Sequence, residues 1–326
     1  MAGAWAPSAA SVPTVSAVVL NYDGRPLLEV VLPSLAAQTC HPVEMLVVDN
    51  GSHDDSRSYL AERWPNVRVL SLAENVGVAA ALNRGLHAAG GEYVVLLNND
   101  LELEPGCLAE LVAALERDPR AGVACGKLLD FQHRELLDGA GDLYTWGGEA
   151  NRRGQGLPDA GQYDQPQEIF SACGAAAVYR RAALERVGVL DERLFANYED
   201  VDWCFRAQLA GWGCRYVPGA VAYHMGSATL GKGASDFALY HNWRNAIWVV
   251  AKNYPTAALV RHAPELAFVQ LRNLAIALRR GRGRLWLKVW RDALAGMPAV
   301  LRERRRVQHT RVRSLADLDA LIGADK

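Results

Sequence analysis

The first hundred residues alternate between short apolar runs and segments with helical spacing, and this alternation constrains the fold more than any other feature. The apolar runs occupy residues 15–20, 43–48, 67–72 and 93–97, and the helical segments occupy 27–38, 54–64 and 78–89. Strands that alternate with helices form βαβ units around a parallel sheet. We therefore expect an α/β fold with a Rossmann-like, mostly parallel sheet flanked by helices.

The fourth apolar run ends in three polar residues, Asn98, Asn99 and Asp100. A continuous run of this kind predicts a strand that is buried on both faces. Its polar end would lie at the carboxyl edge of the sheet, where open α/β sheets bind ligands. A carboxylate there can hold a divalent cation together with phosphate oxygens and water, as under the diphosphate of a nucleotide-sugar. Alternatively, Asp100 caps the following helix, and this stretch alone leaves both interpretations open.

Charge is distributed unevenly along the chain. Residues 261–313 carry 14 Lys and Arg against 3 Asp and Glu, a net charge of +11. Because the whole chain has a formal net charge of −1, the remaining residues carry a net charge of −12. A basic segment beside an acidic body suggests that this segment meets an anionic surface. The total of 326 residues, half of them hydrophobic, allows one large domain or two.

The cysteines and the N-terminus bear on the compartment. Six scattered cysteines without a CxxC pair argue against a disulfide framework or a zinc ribbon and fit a reducing cytoplasm. Residues 1–13 are rich in Ala, Ser and Pro but lack the regions of a signal peptide, so we expect a flexible leader. No segment offers about 18 apolar residues in succession, and we predict no membrane span.

Polar residues also follow the first two predicted strands. The motif NYDGRP follows the first strand, in place of the GxGxxG of dinucleotide-binding folds. Asp49, at the end of the second strand, could accept a hydrogen bond from the N3–H group of a uracil or thymine ring. The alternative is that Asp49 and Ser52 only stabilise the turn and cap the next helix.

The middle of the chain is less regular. We predict helices over 105–117 and 181–187, a short strand over 121–129, and one strand with many small residues over 169–179. Residues 138–167 are Gly-rich and polar and include Arg152 and Arg153. A long stretch of this kind inside a domain is usually a lid or a binding loop.

A second group of chemically capable residues begins a predicted helix. Glu199, Asp200 and Asp202 lie within four residues, which the helix dipole alone would favour. The apolar residues between them place the helix against a core, so the acids would border a cleft where a carboxylate can act as a general base. His224 follows the next predicted strand, and we interpret it as a ligand rather than a structural histidine.

Six motifs in order resemble those of the inverting family-2 glycosyltransferases of the GT-A fold, most closely their rhamnosyltransferase-type branch. They are NYDG, VVDNGSHDD, ENVGVAAALNRGL, GEYVVLLNND, FANYEDVDWCFR and AYHMGS. The resemblance covers about residues 15–254. We therefore expect a catalytic domain over 14–240, with a donor half of about 14–100 and an acceptor half of about 101–240. A basic amphipathic helical extension would follow over 241–326.

The resemblance implies roles for individual residues on the donor side. Tyr22 and Asp49 would hold the pyrimidine base, Asn83 would lie on a helix that lines the donor site, and Asn99 would lie near the ribose. Gly77 falls where some relatives place a basic residue near the base. The complete set of implied donor-binding residues is Asn21, Tyr22, Asp23, Asp49, Asn75, Gly77, Asn83, Asn98 and Asn99.

The resemblance also implies the catalytic residues. Asn98 replaces the first Asp of the family's DxD motif, so Mg²⁺ or Mn²⁺ would be bound by Asp100, with His224 as a ligand of the metal or of the diphosphate. Asp200 would be the base that deprotonates an acceptor hydroxyl in a single inverting displacement. The residues implied on the acceptor side are Glu199, Asp202, Trp203 and Arg206.

Taken together, these features predict a metal-dependent inverting transferase for cell-surface polysaccharide synthesis. The favoured donor is dTDP-rhamnose, with UDP-galactose, UDP-glucose or UDP-N-acetylglucosamine as alternatives. The acceptor would be a saccharide or a polyprenyl-diphosphate-linked saccharide. A nucleotidyltransferase that makes nucleotide-sugars is a competing interpretation, but it usually carries a Gly-rich basic loop after the first strand, and NYDGRP has a single Arg25.

The C-terminal helices have two interpretations. Trp, Leu and Val recur at helical spacing from Leu285 to Leu301, with cations between them. The segment either packs on the catalytic domain or lies in a membrane interface, with its cations on lipid phosphates. We expect a cytoplasmic protein, with peripheral binding to the inner face of the plasma membrane left open. We expect no nucleic acid partner, because base-stacking aromatics on a sheet are not evident.

Overall fold

A computed structural model of the chain describes residues 13–226 and 235–323. The leader predicted at 1–13 lies outside the described residues except for Pro13. The strands are β1 (Val15–Asn21), β2 (Glu44–Asp49), β3 (Arg68–Ser71), β4 (Tyr93–Asn98), β5 (Leu101–Leu103), β6 (Ala121–Asp130), β7 (Leu137–Gly139), β8 (Asp142–Tyr144), β9 (Ala150–Arg152), β10 (Gln167–Ile169), β11 (Ala176–Arg180) and β12 (Gly213–His224). The helices are α1 (Arg25–Ala36), α2 (Ser56–Arg63), α3 (Val78–Ala88), α4 (Cys107–Arg117), α5 (Arg181–Val187), α6 (Glu199–Leu209), α7 (Asp236–Asn253), α8 (Thr256–Arg261), α9 (Ala263–Arg279), α10 (Gly283–His309) and α11 (Leu315–Gly323).

One large mixed sheet organises the fold, with the strand order β10-β12-β6-β11-β4-β1-β2-β3. Strands β3, β2, β1 and β4 run parallel, as the βαβ pattern predicts. Strand β11 is antiparallel to both β4 and β6, and β12 is parallel to β6. The parallel part brings the carboxyl ends of β1, β2 and β4 to one edge, where the predicted donor residues lie.

Both faces of the sheet are covered by helices, which explains why its central strands are apolar throughout. On one face, Val19 and Val95 pack in a core with Leu32 of α1 and Leu111 of α4. On the other face, Val18 packs in a core that also contains α3 and α6. Successive residues of a strand point to opposite faces, so a strand between two helical layers needs apolar residues at every position.

The middle of the chain differs from the sequence-based expectation in two places. Residues 138–167, predicted as a lid or binding loop, contain the hairpin formed by β8 and β9. The strand predicted over 169–179 is divided, because Ile169 ends β10, β11 begins at Ala176, and between them Gly174 contacts Asp200 at the start of α6. Small residues suit both a strand and a tightly packed loop, so composition alone cannot separate them.

The C-terminal helices pack on one another and on the catalytic body. Trp248 of α7 contacts α10, where its indole N–H donates to the carbonyl of Ala293 at 3.0 Å. Tyr254 lies in a core with Phe205 of α6. The expected domain boundary at 240/241 falls inside α7.

Candidate active site

A cleft of about 440 Å³ lies at the carboxyl edge of the parallel strands. The predicted residues that line it are Tyr22, Asn75, Gly77, Asn98, Asn99, Asp100, Glu199, Asp200 and His224. The two acids that anchor the prediction, Asp100 and Asp200, therefore border one cavity. The predicted residues outside its lining are Asn21, Asp23, Asp49, Asn83, Asp202, Trp203 and Arg206.

Asp100 and His224 meet at the inner end of this cleft. Asp100 directly follows β4 and His224 ends β12, and the antiparallel pairing of β12 with β5 brings the two together. The His224 Nε2 atom lies 3.3 Å from Asp100 Oδ1, and its Nδ1 atom lies 2.7 Å from Asp138 Oδ2. Burial lowers the pKa of His224, but the two carboxylates outweigh burial and raise it to about 9.

The donor set at this position fits a divalent cation. Asp100 Oδ1 is buried, and His224 Nε2 at 3.3 Å is its ion-pair neighbour, but among the described residues no group makes a well-aligned hydrogen bond to it. Asp138 holds the outer nitrogen of His224, as a carboxylate commonly does for a metal-ligating histidine. The described residues contain no cluster of three or more His, Cys, Asp or Glu arranged for a metal. Such a sparse set suits Mg²⁺, which usually takes one or two carboxylates and completes its shell with phosphates and water.

Asp200 borders the same cleft at the start of α6. Its Oδ2 atom accepts a hydrogen bond of 2.8 Å from the N–H of Gly174, and its Oδ1 atom accepts one of 2.7 Å from the N–H of Val201. Burial raises the pKa of the Asp200 carboxyl, and the two N–H groups and the Arg152 guanidinium oppose that rise. The result is a fixed carboxylate that holds a proton more readily than one in water, as a general base requires.

Two further acids near Asp200, Glu199 and Asp142, have raised pKa values. Burial, together with the charge of Asp200, raises the pKa of Glu199 to about 8. Burial also raises the pKa of Asp142 well above its ordinary value, and the charge of Asp200 adds to that rise. Glu199 therefore holds its proton more strongly than an exposed glutamate does, which favours Asp200 as the ionised member of this neighbouring pair.

Arg152 is a residue of the cleft that the sequence analysis did not assign. It ends β9, forms an ion pair with Asp138, and lies 3.3 Å from His224 Nδ1. Its charge lowers the pKa of Asp200 from across the cleft. The only available signal was the pair Arg152 and Arg153 within a Gly-rich stretch, which indicated a binding loop without naming a function.

The loop before α6 is held in an unusual backbone conformation. Phe195, Asn197 and Tyr198 have positive φ values of 65°, 65° and 69°. The side-chain amide of Asn245 in α7 donates to the carbonyls of Leu194, Ala196 and Asn197 at 2.9, 2.9 and 2.7 Å. Strained residues of this kind persist only where surrounding contacts fix them, and they concentrate at functional sites.

The loop before α6 also explains why residue 77 is a glycine. A Cβ atom at this position would lie 2.6 Å from the ring of Phe195, and its φ of 90° also favours glycine. The backbone N–H of Val78 donates to the Phe195 carbonyl at 2.6 Å. Gly77 thus lines the cleft because the loop approaches α3 closely, and it offers no side chain to a ligand.

Three residues predicted on the acceptor side lie in the core instead. The Asp202 side chain is fully buried between Lys252 at 2.8 Å and Arg206 at 2.9 Å. Arg206 also donates to two backbone carbonyls, and Trp203 is fully buried with its indole N–H on the carbonyl of Gly188. Asp202, Trp203 and Arg206 do not line the cleft, so any part they have on the acceptor side would be indirect, through the position of α6.

The side chains of several predicted donor residues form hydrogen bonds within the protein and do not line the cleft. The Asp49 carboxylate is buried and accepts from Arg57 and Asn21, while Asn21 also accepts from the amide of Asn99 at 2.8 Å. The expected contact of Asp49 with the base is therefore corrected, because Asp49 supports the neighbouring turn, and Asn21, expected only to bind the donor, does not line the cleft either.

Asn83 and Asp23 are likewise engaged by the protein. The Asn83 amide group exchanges two hydrogen bonds with the backbone of Leu190, at 2.9 and 3.0 Å. The Asp23 carboxylate accepts from the N–H of His53 at 2.6 Å within an exposed turn. Neither side chain lines the cleft, which corrects the expectation that they bind the donor directly.

Comparisons with known proteins agree with this geometry. The family model described as "Glycosyl transferase family 2" matches residues 16–188. The chain is 33% identical over 247 residues to N-acetylglucosaminyl-diphospho-decaprenol L-rhamnosyltransferase of Mycobacterium tuberculosis, covering 69% of this chain and 80% of that protein. It is 21% identical over 319 residues to dTDP-rhamnosyl transferase RfbF of Shigella flexneri, covering 95% and 96%.

A solved structure shares the fold. The crystal structure of GalNAc-T7 with UDP, GalNAc and Mn²⁺ superposes with a TM-score of 0.61 at 18% sequence identity. The superposition covers 75% of this chain, and this chain spans about half of the other, 48%. At this identity the likeness concerns the fold of the catalytic body.

Proposed function

The chain belongs to glycosyl transferase family 2, and from that premise we propose that it transfers rhamnose from dTDP-rhamnose to a hydroxyl of a saccharide, with inversion at the anomeric carbon. The chain is a glycosyltransferase of the GT-A fold in the rhamnosyltransferase-like branch. The choice of donor rests on the two rhamnosyltransferase relatives, one of which is named as a dTDP-rhamnosyl transferase.

One observation carries the proposed mechanism, namely that Asp100 and Asp200 line a single cleft that also contains His224. In the proposed reaction, the acceptor hydroxyl attacks the anomeric carbon and passes its proton to Asp200. The bond from that carbon to the diphosphate oxygen breaks on the opposite face. The hydrogen bonds from Gly174 and Val201 orient the Asp200 carboxylate for this transfer.

Asp100 would hold Mg²⁺ or Mn²⁺ together with the donor diphosphate, and His224 would join it as a ligand once its proton is displaced by the ion. When bound, such an ion stabilises negative charge on the leaving nucleoside diphosphate. The buried Asp100 Oδ1 atom, which receives no well-aligned hydrogen bond from the described residues, supports this assignment. So does the presence of Mn²⁺ in the GalNAc-T7 structure.

The proposed acceptor is a saccharide carried on a polyprenyl diphosphate, as the name of the mycobacterial relative suggests. Such an acceptor would place the enzyme at the cytoplasmic face of a membrane. The described residues include no helix that is both long and apolar enough to cross a bilayer. On α10, however, Leu287, Leu294 and Leu301 recur every seven residues with exposures of 63%, 60% and 46%. An exposed apolar stripe on a basic helix suits binding in the membrane interface.

The test is hydrolysis or transfer of nucleotide-sugars by the purified full chain. With Mn²⁺ present, release of nucleoside diphosphate should be fastest from dTDP-rhamnose and slower from UDP-glucose, UDP-galactose and UDP-N-acetylglucosamine. Asp200→Asn should reduce release by about 100-fold or more while donor binding, measured by calorimetry, is kept. Release from none of these donors would contradict the proposal. So would release of pyrophosphate from a nucleoside triphosphate and a sugar phosphate.

A further inference from the structure

A second cavity, of about 550 Å³, lies beside the candidate active site. Helices α7, α9 and α10 and the turn between β8 and β9 enclose it, and the known volumes of small-molecule sites, roughly 300–1,000 Å³, include this value. Apolar side chains form most of its walls, including Leu239, Trp243, Ile247, Val250, Leu266 and Trp290. An apolar ligand or an apolar part of a ligand is the chemistry that these walls would take.

The two cavities adjoin one another. Ala150, Asn151, Tyr198 and Asn242 line both of them. The Tyr198 hydroxyl donates to the carbonyl of Gly148 at 3.3 Å and accepts from the N–H of Ala150 at 3.2 Å, which fixes the ring at the junction. Tyr198 directly precedes Glu199 and Asp200, so the junction lies on the same side as the candidate base.

The apolar cavity also connects to the surface of α10. Leu301 lines the cavity and is itself 46% exposed, and it continues the exposed row formed by Leu287 and Leu294. An apolar path therefore runs from the junction beside Asp200 to the face of the protein that we assign to the membrane.

We infer that this cavity holds the first isoprene units of a polyprenyl-diphosphate-linked acceptor. The inference rests on the proposed function and extends it from the reacting saccharide to the lipid. The saccharide hydroxyl would lie at Asp200, the diphosphate at the junction near the side-chain amides of Asn151 and Asn242, and the isoprenoid chain between α7 and α10. The remainder of the chain would follow the Leu row of α10 into the bilayer.

Farnesyl diphosphate is the probe for this site, because it carries a diphosphate and three isoprene units but no sugar. Trp243 and Trp290 line the cavity, so binding should change tryptophan fluorescence, and calorimetry should confirm the affinity. Inorganic pyrophosphate should bind at least tenfold more weakly. Ala246→Trp, which fills the cavity from α7, should weaken farnesyl diphosphate binding at least tenfold. Leu239→Asn places a polar group on the same wall and should act in the same direction.

Ala295→Trp is the matched control, since Ala295 is exposed on α10 and lines neither cavity. It should leave farnesyl diphosphate binding unchanged, and thermal denaturation would verify that all three variants fold. Equal binding by the wild type and both cavity variants would overturn the inference. The same holds if the protein is a dimer in solution that Ala246→Trp dissociates, because a second copy would then occupy the cavity.

Failure of this inference can be distinguished from failure of the proposed function. The binding measurement needs no nucleotide-sugar. Release of nucleoside diphosphate from dTDP-rhamnose without binding of farnesyl diphosphate would refute the lipid site alone. A protein that binds farnesyl diphosphate in this cavity but acts on no nucleotide-sugar would support the lipid site and refute the transferase proposal.

Discussion

Gly174 lies so close to Asp200 that no side chain fits between them. A Cβ atom at Gly174 would lie 2.7 Å from Asp200 Oδ2, the same oxygen that accepts the 2.8 Å hydrogen bond from the Gly174 N–H. The loop that carries Gly174 therefore positions the candidate base directly.

Gly174→Ala should displace the Asp200 carboxylate and reduce turnover by about 100-fold, because a displacement of roughly 1 Å at a reacting group is that costly. Donor affinity should change little, since Gly174 lies on the side of the base. Gly106→Ala is the control, because a Cβ atom there meets no neighbour within 4 Å. Steady-state kinetics and calorimetry of both variants would check this, and equal turnover in the two would contradict it.

Asp202→Asn should destabilise the protein rather than disable its chemistry. Asp202 is fully buried, shares the ammonium group of Lys252, which is 1% exposed, with Asp191, and also pairs with Arg206. Removing one partner of a buried ion pair costs about 3–5 kcal/mol. Urea denaturation should show this loss, while the folded fraction keeps its turnover per molecule. A variant of unchanged stability with abolished turnover would instead indicate that Asp202 takes part in the reaction.

Asp100→Ala should remove the metal dependence of donor binding. The buried Asp100 Oδ1 atom has no other partner among the described residues, so its loss leaves His224 as the remaining candidate ligand. Calorimetric titration with dTDP, with and without Mn²⁺, should show an enhancement by the metal only in the wild type. Asn98→Asp adds a carboxylate beside the same site and should strengthen Mn²⁺ binding. If Asp100→Ala keeps the full enhancement, the metal lies elsewhere.

Glu199→Gln should change how stability depends on pH. The folded protein holds the Glu199 proton up to a pKa of about 8, whereas the unfolded chain releases it near the ordinary value of 4.5. The folded state therefore binds more protons between these values, and this residue's contribution to the free energy of unfolding falls as the pH rises from about 4.5 to 8. Glutamine does not titrate, so the variant should gain stability relative to the wild type across that range. Denaturation at pH 5, 6, 7 and 8 would check it, and a constant difference would contradict it.

The double substitution Leu287→Gln and Leu294→Gln should weaken binding to anionic vesicles at least tenfold. Both side chains are more than half exposed, so their removal should leave thermal stability unchanged. Val43→Gln is a matched control, because Val43 is 64% exposed in the catalytic body, away from α10. Vesicle co-sedimentation with phosphatidylglycerol would measure the effect. Equal sedimentation of all three proteins would exclude this row of leucines as a membrane contact.

The sequence predicted the parallel half of the fold well because its signals are local. Four apolar runs and the helices between them marked β1 to β4 within one or two residues. The order of polar residues at the strand ends also placed Asp100 and His224 correctly at the cleft. These signals depend on neighbours in the chain, which a single sequence reveals.

The remaining features depend on partners that are distant in sequence. Asp202 and Asp200 are two residues apart on one helix, yet Asp202 is neutralised by Lys252, about fifty residues downstream. Arg152 reaches the cleft only because β9 pairs with β8, which is joined to the segment between β10 and β11 by the bridge between Asp142 and Ser171. No local pattern distinguishes a catalytic acid from a buried ion-pair partner, and the three-dimensional packing was needed to separate them.

The contacts of Asn245 bear on how this enzyme can be recombined with its relatives. Asn245 lies more than fifty residues beyond position 188, where the match to the family ends, yet its amide braces the backbone that presents Asp200. A chimaera that exchanged the C-terminal helices to alter acceptor choice would lose that brace unless it kept this asparagine in register. The C-terminal helices thus carry both the proposed acceptor site and a contact that fixes the loop before the candidate base.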